Sequence, residues 1–98
     1  MITKTPMKRN GSTKVTFELP GDSAGEQVSL CGEFNDWSTE RTPMTKRKGG
    51  RFSVTLTLPM GRSFRFRYLV DGQRWENDPA ADDYVPNDYG SDDSVVTT

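Results

Sequence analysis

The chain contains no histidine. That removes the commonest general base and every nucleophile pair of the Ser–His or Cys–His kind. Its one cysteine, Cys31, excludes an intramolecular disulfide and with it a disulfide scaffold, and a reducing cytoplasm is the simplest setting for such a chain. No apolar run approaches the roughly 20 residues a membrane-spanning helix needs. The first ten residues are polar, include Pro6, and lack the apolar core of a secretory signal peptide. No window keeps a helical period over three turns. With 98 residues, a multi-domain enzyme is excluded and one small domain is expected. A net charge of -1 offers no overall field to nucleic acid or membrane, so neither is expected as a partner. Beyond Arg74 there is no further Lys or Arg, and seven acids follow: Glu76, Asp78, Asp82, Asp83, Asp88, Asp92 and Asp93.

What is present is aromatic and alternating. Five Phe, three Tyr and two Trp can fill a thin two-layer core although the hydrophobic fraction is only 32%. Residues 1–13 read as a flexible tail and residues 14–98 as the folded domain. In 14–19, Val15, Phe17 and Leu19 alternate with Lys14, Thr16 and Glu18; the stretch 20–25, with Pro20, Gly21 and Gly25, breaks the pattern. Residues 27–31 form a second strand with Val28 and Leu30 inward. After Gly49-Gly50 come the two clearest strands. Phe52, Val54, Leu56 and Leu58 alternate with polar residues, and then Phe64, Phe66, Tyr68 and Val70 do so, with Arg65 and Arg67 on the opposite side. Asp71-Gly72 is a strong hairpin signal that places Trp75 on a returning strand, which Asp78-Pro79 ends. Residues 80–93 read as a long acidic loop and 94–97 as a closing strand. The expected core is Val15, Phe17, Val28, Leu30, Phe52, Val54, Leu56, Phe64, Phe66, Tyr68 and Val70. The fold class that follows is all-β, an immunoglobulin-like antiparallel β-sandwich.

Gly32-Glu33-Phe34-Asn35-Asp36-Trp37 is the stretch around which the rest is arranged. It ends the second strand in a polar corner carrying one large aromatic. Trp37 reads in two ways, as a core anchor or as a broad apolar face offered to a flat partner, and Trp75 likewise. The acidic run lacks the Asp-x-Asp-x-Asp-Gly spacing of a calcium loop, so a solvated loop without metal is expected. Paired carboxylates for glycoside hydrolysis need a cleft that a sandwich of this size rarely forms. No enzymatic activity and no cofactor are expected.

The corner, the segment Phe64-x-Phe-Arg-Tyr-x-Val-Asp-Gly72, Trp75 with Asp78-Pro79, and Gly90-x-x-Asp-Ser-Val-Val96 together resemble a family-48 carbohydrate-binding module. This family includes the glycogen-binding domain of the AMP-activated protein kinase β subunit and the early-set domains of glycogen branching and debranching enzymes. The resemblance spans residues 15–96 and implies an early-set sandwich that binds α-1,4-linked glucan without catalysis; a free-standing module is expected, with a glycogen-metabolising enzyme as its protein partner. It implies sugar contacts at Trp37, Arg67, Trp75, Tyr89, Ser91 and Asp93. Arg67 stands where kinase-type members have a lysine. Asp93 stands where the family has an asparagine, and a carboxylate accepts hydrogen bonds without donating them. Glucose rings present C–H-rich faces that suit flat aromatics and hydroxyl rims that suit a planar donor such as Arg67. The alternative from another class is a protein-interaction module on the same sandwich with little or no sugar binding.

Overall fold

The computed structural model describes residues 1–20 and 25–98, so the break expected at 20–25 lies partly outside the described residues. Nine strands are described: β1 (Ile2–Met7), β2 (Ser12–Leu19), β3 (Val28–Gly32), β4 (Thr45–Lys46), β5 (Phe52–Pro59), β6 (Ser63–Val70), β7 (Arg74–Glu76), β8 (Asp83–Pro86) and β9 (Asp92–Thr97). They make two antiparallel sheets, one in the order β1-β2-β5-β4 and one in the order β3-β6-β9-β8, with β7 also paired to β6. The all-β sandwich expected from the alternation is what forms. β6 is the hub of the second sheet. Its residues 66–70 pair with β3, while the opposite edge pairs first with β9 through Ser63 to Phe66 and then with β7 through Tyr68 to Val70.

The core lies between the sheets. Val15, Phe17, Leu19, Val28, Leu30, Phe52, Leu58, Phe66, Tyr68, Val70 and Val96 are buried, joined by Met44 from the connection before β4. Val54, Leu56 and Phe64, expected to be fully inside, are only partly buried and pack on the rim of this cluster, because a domain this small has little interior to offer. Aromatic rings run through it. Phe17 meets Phe66 edge-on at 5.1 Å, Phe66 meets Tyr68 at 5.7 Å, and Phe34 reaches Phe17 at 5.8 Å and Phe64 at 6.0 Å. The Tyr68 hydroxyl donates to Asp78 Oδ2 at 2.7 Å and the Ala80 N–H to Asp78 Oδ1 at 2.8 Å, so both oxygens of the buried carboxylate have a partner. Burial, and then the neighbouring Asp78 carboxylate, push the Tyr68 phenol above its ordinary pKa.

Where a flexible tail was expected for residues 1–13, Ile2–Met7 is an edge strand paired to β2 from Ile2↔Phe17 to Met7↔Ser12. Its central residues, Thr3 to Pro6, are exposed, so backbone pairing holds it and no apolar alternation announces it. Pro6 is tolerated because the strand is at an edge. Lys4 Nζ also lies 2.6 Å from Asp82 Oδ2. The acidic loop expected over 80–93 is likewise more ordered than its composition implies. β8 pairs with β9 from Asp83↔Val95 to Pro86↔Asp92, which reduces the connection to a short turn.

Two turns fix the ends of β3. Asp71 and Gly72 both have positive φ, at 54° and 67°, and the Gln73 N–H donates to the Val70 carbonyl, as a two-residue hairpin turn requires. Asp71 Oδ1 then accepts the N–H groups of Glu26 and Gln27 at 2.8 and 2.9 Å, fastening the turn to the start of β3. At the other end, Gly32 is extended, and its requirement is space. A Cβ there would stand 2.6 Å from the Arg65 carbonyl oxygen and 2.9 Å from Phe66 Cβ.

Two outcomes are expected. Phe66→Ala should cost about 3–5 kcal/mol, enough to unfold much of a domain this small, and Gly32→Ala should also lower the denaturation midpoint because backbone must move; chemical denaturation measures both. The N–H groups of Gln27 and Glu26 hold the Asp71 carboxyl below its ordinary pKa, so its contribution is present above the unfolded-state value of about 3.9 and is lost as pH falls through the lower folded value. The melting-temperature gap between the protein and Asp71→Asn should therefore narrow on acidification below about pH 4; a gap independent of pH would contradict this assignment.

Candidate functional site

The outward side of β6 carries Arg65, Arg67 and Leu69, which stand opposite Val95, Cys31 and Trp75 on the neighbouring strands. Over this face lies an open groove of about 860 Å³. Trp37, Arg67, Trp75, Tyr89 and Asp93 all line it, although they come from a turn, three strands and a late loop. Glu33, Thr39, Arg65, Asn87 and Asp88 complete the lining. Ser91 is not part of the lining; it sits behind it, bonded to Asn87.

The corner delivers Trp37. Asn35 is buried and bonds in three directions. Its Oδ1 accepts the Gly32 N–H at 3.1 Å, and its Nδ2 donates to the Leu30 carbonyl and to Thr42 Oγ1, both at 2.9 Å. The bond to Thr42 draws residues 42–44 alongside β3, where the Leu30 N–H donates to the Thr42 carbonyl and the Met44 N–H to the Val28 carbonyl. The chain leaves this knot through Asp36 and Trp37, both left-handed at φ 56° and 57°. A bulky residue at positive φ is an outlier that costs roughly 1–3 kcal/mol. The Trp37 N–H to Gly32 carbonyl bond at 2.8 Å holds it there, half-buried with one side in the groove.

Trp75 is 40% exposed and Tyr89 92% exposed, so neither is a core residue. Arg67 shares the lining with them, half-buried, and its Nε is the one buried side-chain polar atom among the described residues with no hydrogen-bond partner. Such orphans are rare in folded proteins. Here the Arg67 side chain lines the groove while Nε itself is covered.

The other charged residues act mainly as walls. Glu33 Oε1 accepts the Arg65 backbone N–H at 2.6 Å, just where β3 ends and leaves that edge of β6 uncovered. Asp93 is buried, its side chain 8% exposed; Oδ1 accepts from Asn87 Nδ2 at 3.1 Å and Oδ2 lies 3.9 Å from Arg65 Nη1. Asp93 thus reaches the groove from its floor with most of its surface covered. Asn87 organises the late turn. Its Oδ1 accepts the N–H groups of Tyr89 and Ser91, its Nδ2 donates to Ser91 Oγ, and Gly90 supplies the positive φ that closes the turn. Cys31 is fully buried opposite Arg67, and burial raises its thiol pKa, so it packs as a small apolar residue. Among the described residues, no three His, Cys, Asp or Glu side chains converge in a way that would hold a metal ion.

Five lining residues escaped the sequence reading. Arg65 carries a usable signal, since the alternation that turns Arg67 outward does the same two residues earlier. Asn87 stands three residues before Gly90 in a turn-forming run. Glu33, Thr39 and Asp88 have no local pattern that marks them.

Two exposed aromatics, a planar guanidinium in the same lining and fixed polar walls make a surface suited to a flat ring with an apolar face and a hydroxyl rim. Over residues 13–97 the sequence matches the family described as the glycogen recognition site of AMP-activated protein kinase. The chain belongs to this glycogen-recognition family. It is similar to protein PTST homolog 2, chloroplastic, of Arabidopsis thaliana, 40% identical over 64 residues that make up 65% of this chain and 12% of that protein. It is also similar to the 5'-AMP-activated protein kinase subunit beta-2 of Homo sapiens and of Mus musculus, 39% identical over 56 residues, 57% of this chain and 19% of each subunit. The chain thus covers a small part of the length of these relatives. A family of this kind is a carbohydrate-binding module, and the groove lies wholly inside the matched residues.

Because Asn87 alone ties Tyr89, Ser91 and Asp93 together, Asn87→Ala is expected to lower stability by about 1–2 kcal/mol and to speed amide hydrogen exchange at Tyr89 and Ser91 relative to the core strands. Unchanged exchange at both would show that the turn holds itself.

Proposed function

We propose that the groove binds α-1,4-linked glucan, the polymer class of glycogen and starch, and that it does so without catalysis. The observation that carries this is the convergence of Trp37, Arg67, Trp75 and Tyr89, far apart in sequence, on one open surface of a chain in the glycogen-recognition family. Trp37 and Trp75 are the platforms for the C–H faces of two glucose rings. Arg67 donates to a ring hydroxyl from the part of its guanidinium that reaches the groove. Tyr89, at the tip of the turn held by Asn87, closes over the chain from the side. Asp93 accepts at most one further hydroxyl, since Asn87 and Arg65 already engage it, and Ser91 supports Tyr89 through Asn87 more than it touches sugar.

The role that follows is to place an enzyme on glucan, whether that enzyme is carried with this domain or bound to it. The compartment is one that stores α-glucan; the cytoplasm is the expected one, and the Arabidopsis relative is a chloroplastic protein. No helix among the described residues is long and apolar enough to cross a membrane.

Rigid aromatic platforms lose little side-chain entropy on binding, while an open groove leaves one sugar face in water. Affinity should accordingly lie roughly between micromolar and millimolar. Titrating isotope-labelled protein with maltoheptaose should shift the indole signals of Trp37 and Trp75 together, and Trp37→Ala or Trp75→Ala should each weaken binding about tenfold or more. Asp93→Asn, which restores an amide, should leave or improve affinity. If millimolar maltoheptaose moves neither indole, the groove's aromatics serve a protein partner instead.

A further inference from the structure

The groove does not stop at Arg65. A second, smaller depression continues from it over the outer face of the β3-β6-β9-β8 sheet, sharing Glu33 and Arg65 with the groove and adding Ser63, Phe64, Val85 and Val95. Its apolar part breaks the alternation that governs the rest of the molecule. Val95 pairs with Arg65 on one side and Asp83 on the other, which puts it on the outward side of β9, where a two-layer sandwich ordinarily shows water a polar residue. It is nonetheless only 8% exposed. Val85 pairs with Asp93, falls on the same side, and is half-buried. Val85 is thus the member of this outward pair that keeps an open face, and Val95 is largely covered by its neighbours.

The rim shared by the two depressions is held rigidly. Glu33 takes the Arg65 N–H, and the Arg65 guanidinium faces Asp93, so charges of both signs border the passage from one depression to the next. A mixed, fixed rim above an aliphatic floor suits an uncharged polyhydroxyl ring better than an anion, a cation or an extended apolar segment. Continuity supplies the occupant. Arg65 and Glu33 line both depressions, so a chain in the groove that runs past Arg65 enters the second one, whose lining includes Phe64 and Val85.

We propose that this depression is an extension subsite that seats a further glucose unit of a long α-glucan on Val85, beside the largely covered Val95, with Arg65 and Glu33 hydrogen-bonding its hydroxyls. The proposal rests on the glucan reading above and deepens it: the domain would favour long chains over short oligosaccharides by occupying both depressions at once. An aliphatic floor makes less contact than an indole, so the gain is modest, about three- to tenfold in affinity.

The test compares maltotriose with maltoheptaose. In the unmodified protein, maltoheptaose should shift the methyl signals of Val85 and Val95 as well as the two indoles, whereas maltotriose should shift the indoles alone. In Val85→Lys, checked for a native spectrum and melting temperature, the ratio of maltoheptaose to maltotriose affinity should fall about three- to tenfold. Ser63→Trp, which adds a flat platform at an exposed position in this depression, should raise the same ratio. If maltoheptaose moves the indoles but not the valine methyls, or the ratio is unchanged in Val85→Lys, the extension is wrong and the glucan reading stands. If maltoheptaose moves no indole, both fall together. Should Val85→Lys fail to fold, the methyl shifts of the unmodified protein decide.

Discussion

Period-two alternation in β6 is the constraint on which the rest of the structure depends. One face of this strand supplies Phe66, Tyr68 and Val70 to the core, and the other supplies Arg65 and Arg67 to the groove. A one-residue slip in its pairing would bury guanidinium groups and expose aromatics. Register is therefore enforced by the hydrophobic core, and the geometry of the groove is a by-product of the energy that folds the domain. The same strand has β3 along one edge and β9 and β7 along the other, so Trp37, Asp93 and Trp75 are positioned by their pairing or sequence distance from it. Pre-organisation of this kind lowers the entropy that binding must overcome.

The corner after β3 shows where local structure departs from what is locally favourable. Asn35, buried and bonded to Gly32, Leu30 and Thr42, over-determines the turn, and the left-handed Asp36 and Trp37 are tolerated because of it. Strain held by surrounding bonds is characteristic of positions whose side chain must point one way. Trp37 is aimed by a network whose other product is structural, since the same Asn35 to Thr42 bond brings Met44 into the core.

Much of this was legible in the amino-acid sequence, and the parts that were not share physical reasons. β5 and β6 declare themselves because burial on one face alone leaves an alternating pattern. β1 does not, since an edge strand with exposed centre residues is held by backbone bonds that leave no trace in side-chain type. β8 is hidden for a similar reason, with Val85 its one half-buried apolar residue inside an acidic run. In the groove, Trp37, Trp75 and Tyr89 stand out by residue type near turns, and Arg67 by its outward phase together with the family resemblance. Arg65 has the same phase, yet an arginine on a strand face is solvated by default, and its part in the wall depends on Glu33 and Asp93 across the sheet. The burial of Asp93 was not readable either, because it depends on the side chain of Asn87 folding back over it.

These points give a domain whose two sheets have different tasks. The β1-β2-β5-β4 sheet presents a polar outer face with a Thr16–Thr55 hydroxyl contact and no depression among those described, and it backs the core. The β3-β6-β9-β8 sheet carries the groove and the tryptophans. The central claim, that glucan lies across this second sheet with Arg67 completing its hydrogen bonds, is tested most directly by a crystal structure of the protein with maltoheptaose. The account predicts glucose rings stacked on Trp37 and Trp75 and a sugar hydroxyl within hydrogen-bonding distance of the Arg67 guanidinium. Sugar seated on the other sheet, or rings that leave the Arg67 guanidinium without a sugar contact while avoiding both indoles, would contradict it.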